Sequence, residues 1–483
     1  EKMRHISRRM VLGSGAALLA LGRMHRSQAR PYRLPSAAVM AADRLRPQYH
    51  LIAPYGWMND PCGPVWVNGR YHMFYQWGPD KAAFGNIHWG HATSSDLVHW
   101  HHEPVAMSPV PGGPDALGVF SGCVVIVEDQ AIAFYTGIEP SVQCTATSDL
   151  QMMHWKQNPV PVLSEPPPGL HVDGFRDPLV WKDPEGWHML LGANVRQSQF
   201  GPGGVILKYD SQNLKDWTYR TLFYGPTHQA GAYDDAMECP DFFALGETWV
   251  LIYSLGSTVY YASGIYSEGA FHPRIIQPLG YGSFYAGRTM LDEHRRRVLW
   301  GWVPEKPERS HGAMEAGWSG VMSLPRVLTA DGDVALRLAP PPNLAALEGP
   351  HFRQLTTSSW AAPDGPNGRI RLTFIGTEAG RLIFGGEGPF LELDYDPYRP
   401  GKELMANGDS APLPLAARNM LDIFVDGSVV EIFTSSGVCL TTRAYGNTDA
   451  AFKLSLEGTF REAVVSARAM NPISPDRLTS SPV

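Results

Sequence analysis

The chain has 483 residues, which is enough for two or more folded units with a sizeable core. Its net charge of -7 comes from dispersed acidic residues, which excludes the concentrated basic surface of a nucleic-acid-binding protein. The 49 Gly and 41 Pro residues favour many short strands and tight turns over long helices, so we expect an all-β fold.

The N-terminal segment, 1–44, resembles a targeting signal of the twin-arginine type. Arg8-Arg9 directly precedes an apolar run, Val11 to Leu21, that is too short to span a bilayer. Small residues between Ser36 and Ala42 offer cleavage sites. We therefore expect export of a folded protein, periplasmic or secreted. No later stretch reaches the roughly 18 apolar residues of a membrane helix, and no membrane partner is expected.

The five cysteines are widely spaced and form neither a C-x-x-C pair nor a set with His partners. The pattern predicts no metal site and no disulfide framework. Most of these cysteines are expected to be buried thiols, with room for one incidental bridge. They are Cys62, Cys123, Cys144, Cys239 and Cys439.

A hairpin pattern of two apolar strands around a short polar turn recurs five times. The copies are 63–75, 124–135, 179–191, 242–253 and 288–302. A second motif ending in Trp follows three of them, at 95–100, 148–155 and 212–217. Repeats of this length indicate a propeller or solenoid, so we predict a five-bladed β-propeller over residues 45–338.

A proline-rich stretch, Ala339 to Pro342, begins a predicted linker over 339–350. Beyond it, alternating strands such as 369–374 and 422–433 predict a β-sandwich over 351–475, followed by a tail, 476–483. Asp426-Gly427 is a hairpin-turn signal within that unit.

A carboxylate immediately precedes three of the five hairpins: Asp60, Asp177 and Glu238. In a propeller the first strand of each blade lines the axis, so these three acids should converge at one mouth of the channel. One Asp-Pro is usually a turn, but three acids at equivalent places of a repeat favour a site. Two carboxyl groups suffice for glycoside hydrolysis, and a third can hold the sugar or stabilise the transition state.

The surrounding motifs resemble the signature blocks of glycoside hydrolase family 32, the invertases and fructanases. The matching segments are 57–63 (Trp57-Met58-Asn59-Asp60-Pro61), 74–76, 84–92, 120–122, 175–178, 238–241, 318–320, 324–326 and 425–433. The resemblance covers roughly residues 45–470. It implies a five-bladed propeller plus a β-sandwich and a retaining mechanism. No cofactor is expected, and metal independence is expected because the sequence offers no convincing ligand set. Asp60 would be the nucleophile, Glu238 the acid/base and Asp177 the transition-state stabiliser.

The same resemblance assigns contacts with a terminal fructose. The fructose would contact Asn59, Gln76, Phe120, Ser121, Arg176 and Asp177, beside an aromatic wall of Trp57 and Phe84. Other interpretations stay open: Phe84 and Phe120 as core residues, Ser121 as a turn former, Gln76 as a cap, and Arg176 only as a group that orients Asp177.

Two positions depart from the family pattern. Cys62 stands where the family usually has Asn, and Phe84 stands where Trp is common. Cys62 has no His partner in the sequence and is not expected to be a nucleophile. His88 and His91 have metal-like spacing, but in a strand they need not share a face, so a structural role is favoured.

The expected activity is hydrolysis of terminal β-D-fructofuranosides, with sucrose as the preferred substrate. Within enzymes, an exo-inulinase or levanase and a fructosyltransferase remain open. Outside enzymes, a sugar-binding or protein-interaction propeller is disfavoured by the intact carboxylate trio. The sequence gives no prediction of oligomeric state.

Overall fold

The computed structural model describes residues 32–478, apart from 139, 197, 199–200, 226–234, 333–334, 353–358, 361–365 and 449–451. Arg8-Arg9 and the apolar run 11–21 lie outside the described residues. In the described part the α-helices are short, α1 (Ala37–Ala42) and α2 (Ser310–Ala316), and strands dominate. The predicted all-β fold is confirmed. No helix there has the length and apolar character needed to span a bilayer.

Helix α1 packs onto the strands that follow it. Ser36 caps the helix by accepting a hydrogen bond from the N–H of Val39, and Met40 is buried. Directly after the helix, the carboxylate of Asp43 accepts a 2.8 Å hydrogen bond from the indole of Trp318. This segment therefore contacts the folded body.

Four sheets of four antiparallel strands come first in the chain. Their strands are β1 (Gly56–Val67), β2 (Arg70–Gly78), β3 (His88–Ser94) and β4 (Trp100–His102); β5 (Val119–Val127), β6 (Gln130–Gly137), β7 (Val142–Asp149) and β8 (Lys156–Gln157); β9 (Val172–Asp183), β10 (Gly186–Val195), β11 (Gly203–Ser211) and β12 (Thr218–Tyr224); and β13 (Glu238–Leu245), β14 (Thr248–Leu255), β15 (Thr258–Ser267) and β16 (Ala270–Pro278).

A fifth sheet follows. The next strands are β17 (Tyr281–Gly282), β18 (Tyr285–Leu291), β19 (Arg297–Val303), β20 (Trp318–Ser319), β21 (Val321–Met322), β22 (Arg326–Asp331) and β23 (Ala335–Ala339). Strands β18, β19, β22 and β23 form the fifth sheet, and β21 also pairs with β19. Strand β20 pairs in parallel with β1, which extends the first sheet with a segment from far along the chain.

The five predicted hairpins are present as β1–β2, β5–β6, β9–β10, β13–β14 and β18–β19. The turn between β1 and β2 shows the local cause. Asn68 and Gly69 have φ values of 52° and 76°, as the tight turn of a two-residue hairpin requires.

The second repeated motif forms equivalent turns after the third strands of three sheets. In each turn a tryptophan indole donates to the carbonyl three residues earlier: Trp100 to Leu97, Trp155 to Met152 and Trp217 to Leu214, at 3.0–3.2 Å. The accepting residue has a positive φ in all three turns. The sequence repeat therefore corresponds to a repeated structure.

The first strands of the five sheets form a closed ring of contacts. Strand β1 contacts β5, β5 contacts β9, β9 contacts β13, β13 contacts β18, and β18 contacts β1. Apolar side chains of neighbouring sheets pack into common hydrophobic clusters. Phe74 of the first sheet and Ala133 of the second belong to one such cluster. The first strands of the five sheets are therefore neighbours of one another in a closed order.

The C-terminal part adds two larger sheets. Its strands are β24 (Glu348–Phe352), β25 (Ser359–Trp360), β26 (Gly368–Ile375), β27 (Gly380–Gly385), β28 (Leu391–Tyr395), β29 (Leu404–Ala406), β30 (Asp409–Ala411), β31 (Arg418–Asp426), β32 (Val429–Thr434), β33 (Cys439–Arg443), β34 (Phe452–Gly458) and β35 (Val464–Met470). The seven-stranded sheet has the order β17-β33-β32-β31-β26-β35-β24, and the six-stranded sheet has the order β25-β34-β27-β28-β29-β30. Their facing side chains, such as Leu372, Leu382 and Leu393, share one core.

A buried polar network joins these sheets to the rest of the chain. Both carboxylate oxygens of Asp426 accept backbone N–H groups from residues 48–50, at 2.6–2.8 Å. Glu431 accepts hydrogen bonds from the N–H of Leu324 at 2.7 Å and from Arg326 at 2.8 Å. Because every one of these groups is buried, a partner cannot be lost without leaving a charge unpaired.

Candidate active site

Three carboxylates lie on the first strands of three sheets: Asp60 on β1, Asp177 on β9, and Glu238 at the start of β13. The β-ladders around Asp60, Asp177 and Glu238 are all interrupted by register shifts. Asp177 and Cys239 have φ values of 64° and 49°, which are unusual for residues other than glycine. Such bulges redirect side chains, and here they bring all three carboxylates into one buried cluster.

Asp60 is 8% exposed and is held by two donors. The Ser121 hydroxyl donates to Oδ2 at 2.6 Å, and the Asn59 amide donates to Oδ1 at 3.1 Å. Burial raises the pKa of Asp60, and the nearby Glu238 raises it further, while the two donors lower it. The donors therefore favour the ionised carboxylate that a nucleophile requires.

Asp177 is held by the strand that carries Glu238. Its Oδ2 accepts the N–H of Cys239 at 2.9 Å and lies 3.9 Å from Nε of Arg176. Burial raises the pKa of Asp177 to about 6; Arg176 opposes the shift, and the charges of Glu238 and Asp60 add to it. The negative charges of carboxylates so close together repel one another, which is why Asp60 and Glu238 add to the raised pKa of Asp177.

Both carboxylate oxygens of Glu238 have donors. Arg176 donates to Oε1, and the hydroxyl of Tyr285, the first residue of β18, donates to Oε2 at 2.5 Å. Tyr285 was not predicted from the sequence. Its sequence signal is its position just before the fifth hairpin, 288–302, which corresponds to the positions of the three carboxylates before their hairpins.

A chain of side-chain hydrogen bonds runs beside Asp60. Trp57 donates to Asn59 at 2.8 Å, Asn59 donates to Gln76 at 2.7 Å, and Gln76 donates to Ser121 at 2.6 Å. Ser121 in turn donates to Asp60, which closes the loop. The predicted sugar contacts of the first two sheets are thus brought together, and Gln76 and Ser121 also orient the proposed nucleophile.

Aromatic side chains line the edge of this cluster. Trp57 contacts Phe84 and Trp302, with ring centroids 6.1 Å and 5.5 Å apart, and Phe84 contacts Phe120 at 5.8 Å. Phe84 is 38% exposed, so it is not a core residue. Trp302 belongs to the same wall, although the sequence analysis did not single it out.

The cysteine thiols are buried, whereas a nucleophilic cysteine needs surroundings that stabilise its thiolate. All five cysteines are buried and free, which agrees with the expectation for most of them. Burial, followed by the charge of Asp60, raises the pKa of Cys62, so this thiol stays protonated. Cys239, which was also missed as a site residue, lies 3.5 Å from Oδ2 of Asp60 and 3.6 Å from Oδ2 of Asp177.

The two histidines with metal-like spacing have separate partners. His91 is buried and lies 3.0 Å from His72, whereas His88 contacts the carbonyl of Asn86 at 2.7 Å. Within the described residues, no three His, Cys, Asp or Glu side chains are grouped so that they could hold a metal ion.

Comparison with known proteins identifies the family. The profile for the glycosyl hydrolases family 32 N-terminal domain matches residues 50–340, and the profile for the C-terminal part of that family matches residues 395–470. The chain belongs to glycoside hydrolase family 32. It is therefore a glycoside hydrolase of the β-fructofuranosidase type, and the resemblance stated from the sequence is confirmed.

Several family 32 proteins are similar over most of their length. A sucrose-6-phosphate hydrolase of Escherichia coli is 31% identical, covering 88% of this chain and 94% of the relative. A raffinose invertase of the same species is 32% identical, with coverages of 87% and 93%. The structure of a Bombyx mori GH32 β-fructofuranosidase has a TM-score of 0.75 at 27% identity and covers 89% of this chain and 95% of that one.

Proposed function

We propose that the protein hydrolyses terminal, non-reducing β-D-fructofuranoside residues with retention of configuration, and that sucrose is its main substrate. The observation that carries the proposal is the buried cluster of Asp60, Asp177 and Glu238, in which each carboxylate has a different set of donors. Relatives named sucrose-6-phosphate hydrolase and raffinose invertase support a fructoside of the sucrose type.

In the proposed first step, an Asp60 oxygen attacks the anomeric carbon C2 of the fructosyl unit. The bond from C2 to the glycosidic oxygen breaks, and Glu238 gives its proton to that oxygen, which releases glucose from sucrose. In the second step Glu238 takes a proton from water, and the resulting hydroxide displaces Asp60 from C2. Two displacements at C2 return the original configuration.

Asp177 and Arg176 are assigned to the fructose ring. The carboxylate of Asp177 accepts hydrogen bonds from ring hydroxyls and stabilises the positive charge that develops at C2. Arg176 donates a hydrogen bond to Oε1 of Glu238. Fructose hydroxyls compete for the guanidinium, so sugar binding frees Glu238 Oε1 to carry the proton for the leaving group.

The leaving group is assigned to a cavity of about 480 Å³ at the start of β9. The predicted loop around Glu165 to Gly169 lines this cavity, together with His171, Asp173 and Arg196. Two lining residues, Val172 and Asp173, begin β9, the strand that carries Asp177. A cavity of this size has room for a sugar unit beyond the fructose.

The five ringed sheets are proposed to be the blades of a five-bladed β-propeller over residues 45–338. After a linker, 339–350, the two larger sheets are proposed to be a β-sandwich over 351–475, with 476–483 as a tail and 1–44 as the signal and N-terminal segment. The ring of first-strand contacts and the shared core of the larger sheets support this division.

Export by a twin-arginine route is proposed from Arg8-Arg9 and the apolar run that follows. When the full chain is expressed in a host with this route, a mature protein that begins after the Arg8-Arg9 segment should appear outside the cytoplasm. Replacing both arginines by Lys should retain the precursor inside, whereas unchanged export of that variant would contradict the route.

The activity is tested by incubating the protein with sucrose, inulin and levan side by side and analysing the products. Equal glucose and fructose from sucrose, at a rate well above fructose release from the polymers, is the expected result. Faster release from inulin or levan favours an exo-fructanase, and longer oligosaccharides favour a fructosyltransferase. Binding without any sugar release would leave a sugar-binding protein and overturn the proposal.

A further inference from the structure

Arg288, on β18, contacts the backbone of both strands that carry Asp177 and Glu238. Its side chain is almost fully buried, with 2% of the residue exposed. One guanidinium nitrogen donates to the carbonyl of Pro240 on β13, and another donates to the carbonyl of Asp177 on β9 at 3.3 Å. A single guanidinium thus joins the first strands of three neighbouring sheets.

The two segments that it contacts have backbone conformations that ordinary residues seldom adopt. Asp177 has a φ of 64°, and Cys239, directly before Pro240, has a φ of 49°. Such conformations persist only where the surrounding structure holds them. Rotation of the peptide at either carbonyl would break a hydrogen bond to Arg288, so this side chain fixes both bulges.

The positive charge of the buried Arg288 side chain is stabilised by neighbouring groups. Burial alone would lower the pKa of Arg288, but the neighbouring Cys239 and Asp241 raise it, and the guanidinium stays charged. Asp241 is buried as well, and its Oδ2 accepts the N–H of Thr289 at 2.6 Å. Burial raises the pKa of Asp241, and the fixed cation of Arg288 opposes that rise, so the two buried charges stabilise each other.

We propose that Arg288 is a positioning residue that holds Asp177 and Glu238 in their reactive orientation without touching the sugar. This inference rests on the proposed hydrolysis of fructosides. Arg288 has no hydrogen bond to Asn59 or Gln76, which are assigned to the sugar. Its loss should therefore lower kcat much more than it changes KM, because Asn59 and Gln76 keep their contacts with the sugar while Asp177 and Glu238 lose their reactive orientation.

The matched control is Arg443, another buried arginine that donates to two backbone carbonyls, those of Val303 and Pro304 at 2.8 Å and 3.1 Å. It lies on β33, away from the carboxylate cluster. Both residues are replaced by Met, and Arg288 is also replaced by Lys, whose single amine keeps the charge but cannot reach both carbonyls in the same way. Folded protein is isolated by size exclusion, and kcat, KM and melting temperature are measured on sucrose.

Arg288→Met should lower kcat about 100-fold with KM within about twofold, because a small misplacement of catalytic groups costs this much. Arg288→Lys should recover about a tenth of the wild-type kcat. Arg443→Met should keep kcat even though its melting temperature falls. A near wild-type kcat in Arg288→Met, or an equal loss in Arg443→Met, would overturn the inference.

If Arg288→Met yields no folded protein, Arg288→Lys decides the question, and a wild-type kcat in that variant contradicts the positioning role. Failure of the proposed function would be seen differently. In that case the unaltered protein would release no fructose from sucrose, inulin or levan, before any variant is compared.

Discussion

The hydroxyl of Tyr285 lies 2.5 Å from Oε2 of Glu238 and donates a hydrogen bond to it. The two residues begin the first strands of neighbouring sheets, so the contact depends on how β13 and β18 are placed beside each other. Burial, followed by the charge of Glu238, raises the pKa of Tyr285 well above its usual value. Tyr285 is therefore a neutral donor that directs one oxygen of the proposed acid/base.

Replacing Tyr285 by Phe removes this donor and little else. We expect kcat on sucrose to fall about 10- to 100-fold, since general acid catalysis depends on the position and protonation of one carboxyl group. Tyr224→Phe is the control, because it deletes a buried hydroxyl that lies 3.3 Å from another tyrosine hydroxyl, Tyr253. Equal kcat values for the two variants would exclude a role for Tyr285.

A pH profile tests the donors to Asp60. The raised pKa values of Asp60 and Asp177, the latter about 6, mean that activity is lost as the pH falls through a range above that of ordinary aspartates. This loss of activity at low pH, the acid limb of the profile, reflects the coupled titration of the carboxylates and not the pKa of one residue. Its position is measured from kcat/KM for sucrose between pH 4 and about 8, against the usual carboxyl pKa of about 4.

Ser121→Ala should move this acid limb to higher pH, because the lost hydroxyl stabilises the ionised form of Asp60. Ser148→Ala provides the comparison within the same sheet, since its hydroxyl donates to the carbonyl of His154. An unmoved limb in Ser121→Ala would show that this hydrogen bond does not control the ionisation of Asp60.

The sequence predicts the site residues that carry a local signal, but not the contacts between residues that are distant along the chain. Asp60, Asp177 and Glu238 could be found because each precedes a repeated hairpin, and family resemblance added Asn59 and Gln76. The hydrogen bonds of the site could not be found, because partners such as Asn59 and Gln76, 17 positions apart, or Cys239 and Asp60, 179 positions apart, meet only in the folded chain.

Other features had weaker signals. An Asp-Pro sequence does not reveal that Asp177 adopts a φ of 64°, and a lone Arg or Tyr in an apolar strand gives no sign of its partner. Tyr285 and Arg288 were therefore missed as site residues. The five hairpins and the Asp-Gly turn were predicted correctly, because their signals are local: Gly427 has a φ of 52°, and an added Cβ would meet the carbonyl oxygen of Leu45 at 2.5 Å.

The free energy of unfolding should also depend on pH, because two buried histidines of the first sheet have lowered pKa values. Burial lowers the pKa of His72 to about 4 and that of His91 well below its usual value. The unfolded chain binds protons at these residues below about pH 6.5, whereas the folded chain does not, so stability falls as the pH falls through this window. Each such group contributes up to about 1.4 kcal/mol per pH unit.

Replacing His91 by Phe removes one of these groups and keeps an aromatic ring beside Phe74, at present 4.4 Å away. The fall in melting temperature between pH 7 and pH 5 should be smaller than in the unaltered protein. Met73→Ala, a buried change in the same strand pair, should lower the melting temperature at both pH values alike. The same pH dependence in all three proteins would contradict the assignment.

Metal independence is expected, because the proposed charge stabilisation uses Asp177 and hydrogen-bond donors of the chain. Sucrose hydrolysis should therefore survive exhaustive dialysis against EDTA with kcat and KM unchanged. Loss of activity in the chelator and its recovery on adding calcium or zinc would require a metal in the mechanism.

The roles of Asp60 and Glu238 differ in what each variant should retain. Asp60→Ala should abolish turnover of every fructoside, because no covalent intermediate can form. Glu238→Ala should keep some activity on a fructoside with a good leaving group, or regain it with azide, because only proton delivery is lost. Full activity of Asp60→Ala would remove it as the nucleophile.

The most direct test of the mechanism is the anomeric configuration of the fructose first released from sucrose. It is followed by NMR in the first moments of the reaction, before mutarotation mixes the anomers. Double displacement through Asp60 predicts that the β configuration is retained. Initial release of α-fructose would mean a single displacement by water and would contradict a covalent intermediate on Asp60.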